Sequence, residues 1–337
     1  MQCVKFVIIK IKNLFLPAVI CFFTIFLIVF SKSNLAAAKL GLNLWATSVL
    51  PSLFPFFIAT ELLGYTNIIS YLGKLFHKIM RPIFNVPGEG IFALLMGIIS
   101  GYPVGAKIVA DLKRRGICNS IECERLIAFT NNSGPLFILG TVGIMLFHSA
   151  TIGIYLLISH ILSSILVGIC FRWWKIKEEK TLYNEFRSVE KNKKLSFSNL
   201  GDILSKGILN SINSILIVGG FVVLFSVVCS ILENTKILIL LSEIFTPFFK
   251  LLQIPSFFLN SIFTGIIELT NGLKILSSIE ISNVSIYISS FLLGFGGISI
   301  MLQVLSIISK ENISIKPYII GKLLQAVFSV VIIHIII

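Results

Sequence analysis

Apolar runs alternate with short polar segments along the whole chain, and their lengths predict the elements. Six runs match the roughly 17–25 residues that cross the hydrocarbon core of a bilayer, and they lie at 14–30, 42–63, 150–171, 208–231, 284–308 and 317–337. A further run, 122–147, is interrupted by Asn131 to Pro135, and two shorter runs, 91–110 and 256–276, are broken by glycines and polar residues. These interruptions indicate broken spans and re-entrant hairpins, because irregular backbone at membrane depth must be buried in protein or line a cavity.

The interrupted segments occur twice in the chain. Stretches 82–146 and 247–302 both lead from a proline, through a segment with glycine and lysine, to a Met-Leu pair. Gly105 and Gly272, which match in this comparison, are 167 residues apart. Duplicated apolar halves are typical of transporters, in which the broken segments of both repeats meet at the substrate.

These boundaries predict an all-α polytopic membrane protein with an inverted repeat of span, interfacial helix, re-entrant hairpin, broken span and span, plus one extra N-terminal span. The predicted parts are an N-terminal anchor at 1–35, a first repeat at 40–171, a basic cytoplasmic linker at 172–206 and a second repeat at 207–337. The first span has lysines before its apolar core, as a signal peptide does, but the core is long for one. We therefore expect an uncleaved anchor.

The composition is that of a membrane protein, and the residue types present give no support to enzymatic activity. Hydrophobic residues make up 56% of the chain and charged residues 13%, with a mean hydropathy of +0.97, against about 45–50% apolar and 25% charged in soluble domains. The four histidines and six cysteines form no metal-binding or nucleophile motif, and the chain has no phosphate-binding loop motif. We expect neither enzymatic activity nor a cofactor or metal.

The net charge of +13 is spread over segments that flank the spans. The positive-inside rule explains this distribution, so no nucleic-acid partner is expected. With the N-terminus in the cytoplasm, 22 of the 28 Lys and Arg residues lie on the cytoplasmic side, five lie outside, and Lys322 falls within the last span. The second repeat then starts from the opposite face, and the C-terminus lies outside.

The hairpin tips and the broken spans are predicted to converge on a substrate site. A half-helix that begins in mid-membrane presents free N–H groups and a partial positive charge, which suit an anion. Amides and charges placed in hydrocarbon are costly unless they have partners. The residues expected to bind substrate are Tyr102, Lys107, Asn131, Asn132, Ser133, Glu268, Thr270, Asn271, Lys274, Gly296, Gly297 and Ser299.

Structural explanations compete with this assignment. Glycines in membrane helices often serve close packing alone. Lys107 and Lys274 have stems long enough to reach a membrane interface instead of a site. Glu61 lies near the cytoplasmic end of its predicted span, where solvation or pairing explains it without a role in binding.

Four blocks of sequence resemble one family of proteins. They are Pro51-Ser-Leu-Phe-Pro-Phe56, Gly101-Tyr-Pro-Val-Gly-Ala-Lys107, Glu124-Arg-Leu126 and Phe129-Thr-Asn-Asn-Ser-Gly-Pro-Leu-Phe137. They are similar to the YlbJ, or SpoVV, family of sporulation integral membrane proteins of spore-forming bacteria. That family looks like a member of the nucleoside-recognition Gate superfamily, related to the concentrative nucleoside transporters, and the resemblance implies the same repeated layout. It also implies transport of dipicolinic acid from the mother cell across the outer forespore membrane.

Two further functions stay open beside dipicolinate transport. One is a carrier for a nucleoside or another small solute, for which Glu268 offers an acidic partner and Asn271 a neutral one. The other is a non-transporting assembly protein of the spore envelope. The expected partners are a small anionic solute and the lipid bilayer, and a homo-oligomer is left open.

Overall fold

The computed structural model describes residues 2–178, 199–279 and 281–337, with side chains from Leu14 onward except Phe15. All regular elements within these ranges are helices. Five of the described helices are long and apolar enough to cross a membrane, namely Ser31–Gly64, Ala150–Phe171, Leu200–Asn234, Asn283–Glu311 and Lys316–Ile336. The predicted all-α polytopic fold is confirmed. Most of the predicted linker, residues 179–198, lies outside the described residues.

The N-terminal region differs from the prediction in the length of its helices. Helix α1, Gln2–Val29, is followed after the single residue Phe30 by α2, Ser31–Gly64. The segment predicted to separate two spans is therefore helical. Its run Leu35-Ala36-Ala37-Ala38 explains the difference, since leucine and alanine are among the strongest helix formers.

The first repeat follows the predicted order of elements. It contains α2, the amphipathic α3 (Ile68–Phe84), the hairpin arms α4 (Gly90–Ser100) and α5 (Val104–Arg114), the half-helices α6 (Ser120–Thr130) and α7 (Leu136–Leu146), and the span α8 (Ala150–Phe171). Asn119 caps α6, because its side chain accepts the Glu122 N–H over 2.8 Å while the Glu122 carboxylate accepts the Asn119 N–H over 2.9 Å. Pro135 directly precedes α7, where a missing N–H costs little.

The second repeat has the same elements in the same order. It contains the span α9 (Leu200–Asn234), α10 (Ile237–Leu251), the hairpin arms α11 (Leu259–Ile267) and α12 (Leu269–Ser277), the half-helices α13 (Asn283–Phe295) and α14 (Ile298–Ile308), and the span α15 (Lys316–Ile336). The sequence repeat is thus a repeat of structure.

Contacts between the repeats are reciprocal. The first spans, α2 and α9, pack together, and so do the last spans, α8 and α15. Half-helix α6 packs on α15 while α13 packs on α8, and hairpin arm α5 contacts α14 while α12 contacts α7. Each repeat therefore completes the core of the other, and the hairpin tips and helix breaks are enclosed between them.

Glycines allow the arms of each hairpin to cross closely. A Cβ on Gly272 would collide with the Cα of Gly265, and a Cβ on Gly97 would lie 3.3 Å from the Cα of Gly105. A Cβ on either Gly97 or Gly105 would also collide with the carbonyl oxygen of Thr130 in α6. Backbones approach this closely in membrane proteins only through small residues. The Gly105 and Gly272 match found in the sequence therefore has a packing role in both hairpins.

Candidate functional site

Both hairpin tips, the break in the first broken span and the start of α14 border a cavity of about 560 Å³, here called the central cavity. The hairpin tips and helix breaks contribute Ser100, Gly101, Tyr102, Ser133, Gly134, Glu268, Thr270, Ser299 and Gln303 to its wall, and α2 and α7 add the hydroxyl residues Thr47, Ser48, Ser52 and Thr141. Apolar side chains complete the wall, among them Phe56 of α2, Phe137 of α7 and Val222 of α9. The structure thus brings together Tyr102, Ser133, Glu268, Thr270 and Ser299 of the predicted site residues.

Two hydroxyl groups in this wall have no hydrogen-bond partner in the described part of the chain. The side-chain oxygens are those of Ser100, which is 2% exposed, and Ser133, which is 1% exposed. A buried polar group without a partner costs about 1–3 kcal/mol. Hydroxyls in this position are suited to bind ordered water or a polar ligand in the central cavity.

Glu268 is part of the cavity wall and also caps a helix. Its backbone is extended between α11 and α12, and its carboxylate accepts the Asn271 N–H over 2.7 Å. The start of α12 stabilises a negative charge there. Asn271 itself turns its side-chain amide to Ser226 Oγ, at 3.5 Å, and does not line the cavity.

Gly296 and Gly297 form the break between α13 and α14, with φ angles of 85° and 88°. L-residues rarely adopt these values, so the break depends on glycine. A Cβ on Gly296 would lie 3.3 Å from the Tyr102 hydroxyl oxygen, and one on Gly297 would lie 3.3 Å from the Gly265 carbonyl oxygen. The break thus reaches the first hairpin tip and an arm of the second hairpin.

Asn131 and Asn132 do not line the central cavity but belong to a group of buried side chains next to Tyr102. Asn131 donates from Nδ2 to the Tyr318 hydroxyl over 3.2 Å, and Asn132 Oδ1 accepts from Gln325 Nε2 over 2.9 Å. This buried polar cluster comprises Asn131, Asn132, His160, Tyr318, Lys322 and Gln325, each at most 1% exposed. It joins the break in the first repeat to α15 of the second.

His160 connects the buried polar cluster to the central cavity. Its Nε2 accepts the N–H of Ser133 over 3.0 Å, so a neutral ring carries its proton on Nδ1. That Nδ1 has no hydrogen-bond partner among the described residues.

Sequence reasoning missed His160, Tyr318, Lys322 and Gln325. For Lys322 a signal was present, because a charged residue inside a span is rare and marks function by default. His160, Tyr318 and Gln325 carry no comparable signal, since each alone fits any helix–helix contact.

Lys107 lies apart from the other predicted residues. It lines a separate cavity of about 480 Å³, here called the basic cavity, whose other cationic residues are Arg114, Arg115 and Lys310. Its ammonium pairs with the Glu61 carboxylate at 2.6 Å and donates to Ser214 Oγ over 2.9 Å. Gln303 borders both cavities, which therefore share a wall. Lys274 is exposed on α12 and lines neither cavity.

Within the described residues, no group of three His, Cys, Asp or Glu side chains is placed to hold a metal ion. The chemistry that the central cavity offers is accordingly that of hydroxyl groups, a carboxylate and helix ends beside an apolar wall.

The chain is similar to known proteins in sequence and in structure. The family model described as Gate, nucleoside recognition, matches residues 46–170. The chain is 38% identical over 334 residues to the sporulation integral membrane protein YlbJ of Bacillus subtilis (strain 168), covering 96% of this chain and 82% of that protein. Among solved structures, it is similar to CNTnw in an inward-facing substrate-bound state, with a TM-score of 0.48 and 13% identity over 90% of this chain and 82% of that one.

Proposed function

The chain belongs to the YlbJ family of sporulation integral membrane proteins, and from this premise we propose that it transports dipicolinic acid from the mother cell across the outer forespore membrane. The observation that carries the proposal is the central cavity, because elements of both repeats meet there. A site between two repeats is the arrangement that alternating access requires.

The lining of the central cavity suits dipicolinate, a flat aromatic ring with two carboxylates. Phe56 and Phe137 supply apolar surface for the ring. The hydroxyls of Ser100 and Ser133 and the first N–H groups of α14, next to Ser299, are donors for carboxylate oxygens. Glu268 opposes an anion, but its charge is directed at the start of α12.

The proposal includes an orientation. The N-terminus and the basic linker at 172–206 lie in the mother-cell cytoplasm, and the C-terminus lies on the other face of the membrane. Support comes from the distribution of Lys and Arg along the sequence. In this orientation the basic cavity faces the cytoplasm. Arg114 and Arg115 are held in ion pairs there, but the four cations of the lining outnumber its two carboxylates, Glu61 and Asp111, and this excess favours anions.

A nucleoside is the second candidate substrate, because the matched family model is described as nucleoside recognition. A nucleoside would use Glu268 and Gln303 as hydrogen-bond partners for ribose and base, and it would gain nothing from the loss of a negative charge in the wall. The two candidates therefore differ in their response to removal of the Glu268 charge.

Uptake into vesicles tests the proposal. The purified full chain is reconstituted into proteoliposomes, and accumulation of dipicolinate is compared with that of uridine. We expect saturable dipicolinate uptake that falls when Ser133, a lining residue of the cavity, is changed to Ala, and that is unaffected by Ser278→Ala at the exposed residue that follows α12. Uptake of uridine alone would favour the nucleoside carrier. Uptake of neither solute would favour a non-transporting assembly protein of the spore envelope.

A further inference from the structure

We propose that Lys322, protonated when an anion binds, provides the positive charge that selects an organic anion at the central cavity, an inference that rests on the proposed transport function. Lys322 is the seventh of the 21 residues of the last span, α15, and its side chain is fully buried. The neighbouring Gly321 brings α15 close to α6, since an added Cβ there would collide with the carbonyl oxygen of Ala128.

The surroundings of Lys322 leave its charge unbalanced. Its Nζ donates to Gln325 Oε1 over 2.8 Å and lies over the rings of Tyr102 and Tyr318, 5.2 and 5.9 Å from their centroids. Amide oxygen and aromatic faces attract a cation but carry no net charge. Among the described residues no carboxylate lies within ion-pair distance of Lys322, in contrast to Lys107, which pairs with Glu61.

A structural role does not explain this arrangement. A lysine near the centre of a membrane span costs about 2.5–3.5 kcal/mol on insertion scales. An apolar residue of similar length, such as methionine, would fill the same volume without that cost. A buried cation without a fixed counter-ion is instead suited to bind an anion that arrives from solution.

Tyr102 connects this cation to the central cavity. The Tyr102 side chain lines the cavity, and the Lys322 ammonium lies against its ring. A carboxylate bound beside Tyr102 therefore feels the ammonium through a low-dielectric interior, where charges interact more strongly than in water. The hydrogen bond from the Tyr102 hydroxyl to the Leu293 carbonyl, 3.0 Å, is the contact that must break for direct pairing.

This geometry indicates which class of ligand binds and which residue distinguishes that class from neutral ligands. The ligand is a small organic anion with at least one carboxylate group, and its neutral isostere should bind without help from Lys322. A hydrogen bond to a charged group is worth about 1.5–3 kcal/mol, so, with the Tyr102–Leu293 hydrogen bond broken and the anion paired directly with Lys322, we expect loss of the charge to weaken anion binding roughly ten- to hundred-fold.

Ligand-induced thermal stabilisation of the full chain in detergent tests the inference. The ligands are pyridine-2,6-dicarboxylate and its neutral diamide, and the variants are Lys322→Gln, Lys322→Arg and, as a matched control, Lys316→Gln on the exposed start of the same helix. We expect Lys322→Gln to weaken binding of the dicarboxylate selectively, and Lys322→Arg to retain a preference for it. Equal effects on both ligands, or no effect, would overturn the inference.

Two further measurements separate this inference from the proposed function. Acetate, phosphate and citrate are tested as additional ligands of the parent protein. A response to one of them that depends on Lys322, without a response to the pyridine dicarboxylate, would keep the anion site and refute dipicolinate as substrate. No response to any anion would overturn the inference. If Lys322→Gln fails to fold, Lys322→Met replaces it, and failure of both neutral variants while Lys322→Arg folds would show a structural charge and contradict the proposal.

Discussion

Lys107 and Glu61 form an ion pair, with Nζ and Oε1 2.6 Å apart, that joins the first hairpin to α2. The two side chains are 28% and 17% exposed, so the pair is partly shielded from water. The same ammonium donates to Ser214 of α9 in the second repeat. A displacement of the hairpin relative to α2 and α9 must break these contacts.

The ion pair predicts a charge-exchange experiment. Glu61→Gln or Lys107→Gln should slow uptake severalfold and lower the free energy of unfolding by about 0.5–1 kcal/mol, because one charge loses its partner. Glu61→Lys combined with Lys107→Glu restores a pair of opposite charges and should recover most of the uptake in vesicles. If Lys107 instead contacted the substrate anion directly, the exchanged pair would stay inactive.

Glu268 predicts separate effects on stability and on transport. Glu268→Gln keeps an acceptor for the Asn271 N–H and should unfold at the same temperature as the parent, whereas Glu268→Ala loses the cap and should be less stable by about 1 kcal/mol. Dipicolinate uptake by Glu268→Gln should be unchanged or faster, since a negative charge is removed from the cavity wall. Loss of uridine uptake alone would indicate a nucleoside carrier, and loss of dipicolinate uptake in a stable variant would indicate that Glu268 carries a coupling proton.

Asn132 predicts a stability defect that removal of its partner Gln325 does not repair. Asn132→Leu removes the nearer acceptor of Gln325 Nε2, which keeps only its 3.3 Å contact with the His160 carbonyl oxygen, and should lower the free energy of unfolding by about 1–3 kcal/mol. It should still insert in the membrane, because leucine is favourable there, but it should not transport. Addition of Gln325→Leu should not restore the unfolding temperature, because it also removes the acceptor of the buried Lys322 ammonium. Full uptake by Asn132→Leu would mean that the cluster has only a packing role.

The second hairpin predicts a contrast between two glycines. Gly272→Ala places a methyl group against the backbone of Gly265 and should destabilise the protein by about 1–3 kcal/mol through overpacking. Gly220→Ala in α9 meets no atom within 4 Å and should be neutral or slightly stabilising. Thermal unfolding of both variants in one detergent measures the difference. Equal unfolding temperatures would contradict the close crossing of α11 and α12.

The distribution of Lys and Arg predicts that Ser188 and Ser278 lie on opposite sides of the membrane. Single cysteines at Ser188, which lies outside the described residues, and at Ser278, after α12, are introduced into a chain without its native cysteines. A membrane-impermeant maleimide should label only one of them in intact cells. Labelling of both from the same side would refute the inverted orientation of the repeats.

Sequence was sufficient to predict the order of elements because glycine, proline and asparagine interrupt apolar runs at the turns of the structure. The breaks at Asn131 to Pro135 and at Gly296-Gly297 lie where the composition places them. The sequence did not show which of the expected substrate-binding residues share a cavity. Lys107 lies five residues from Tyr102, yet their side chains line different cavities, because Tyr102 belongs to the hairpin tip whereas Lys107 lies on the arm α5 and pairs with Glu61 of α2.

The partners of buried side chains were also beyond sequence reasoning. Lys322 is recognisable as a charge in a span, but its contacts come from Tyr102, about two-thirds of the chain away, and from Gln325, one turn along α15. Pair contacts at such separations depend on how the two repeats dock, and a single sequence carries no signal for that docking.

The reciprocal contacts between the repeats have a consequence for their origin. A lone repeat would expose the surfaces of α6 and α8 that α15 and α13 now cover. Before gene duplication, a half-length ancestor could hide those surfaces only by pairing with a second copy of itself. Fusion would then have freed the two halves to diverge, so that one could acquire a lysine such as Lys322 without its counterpart.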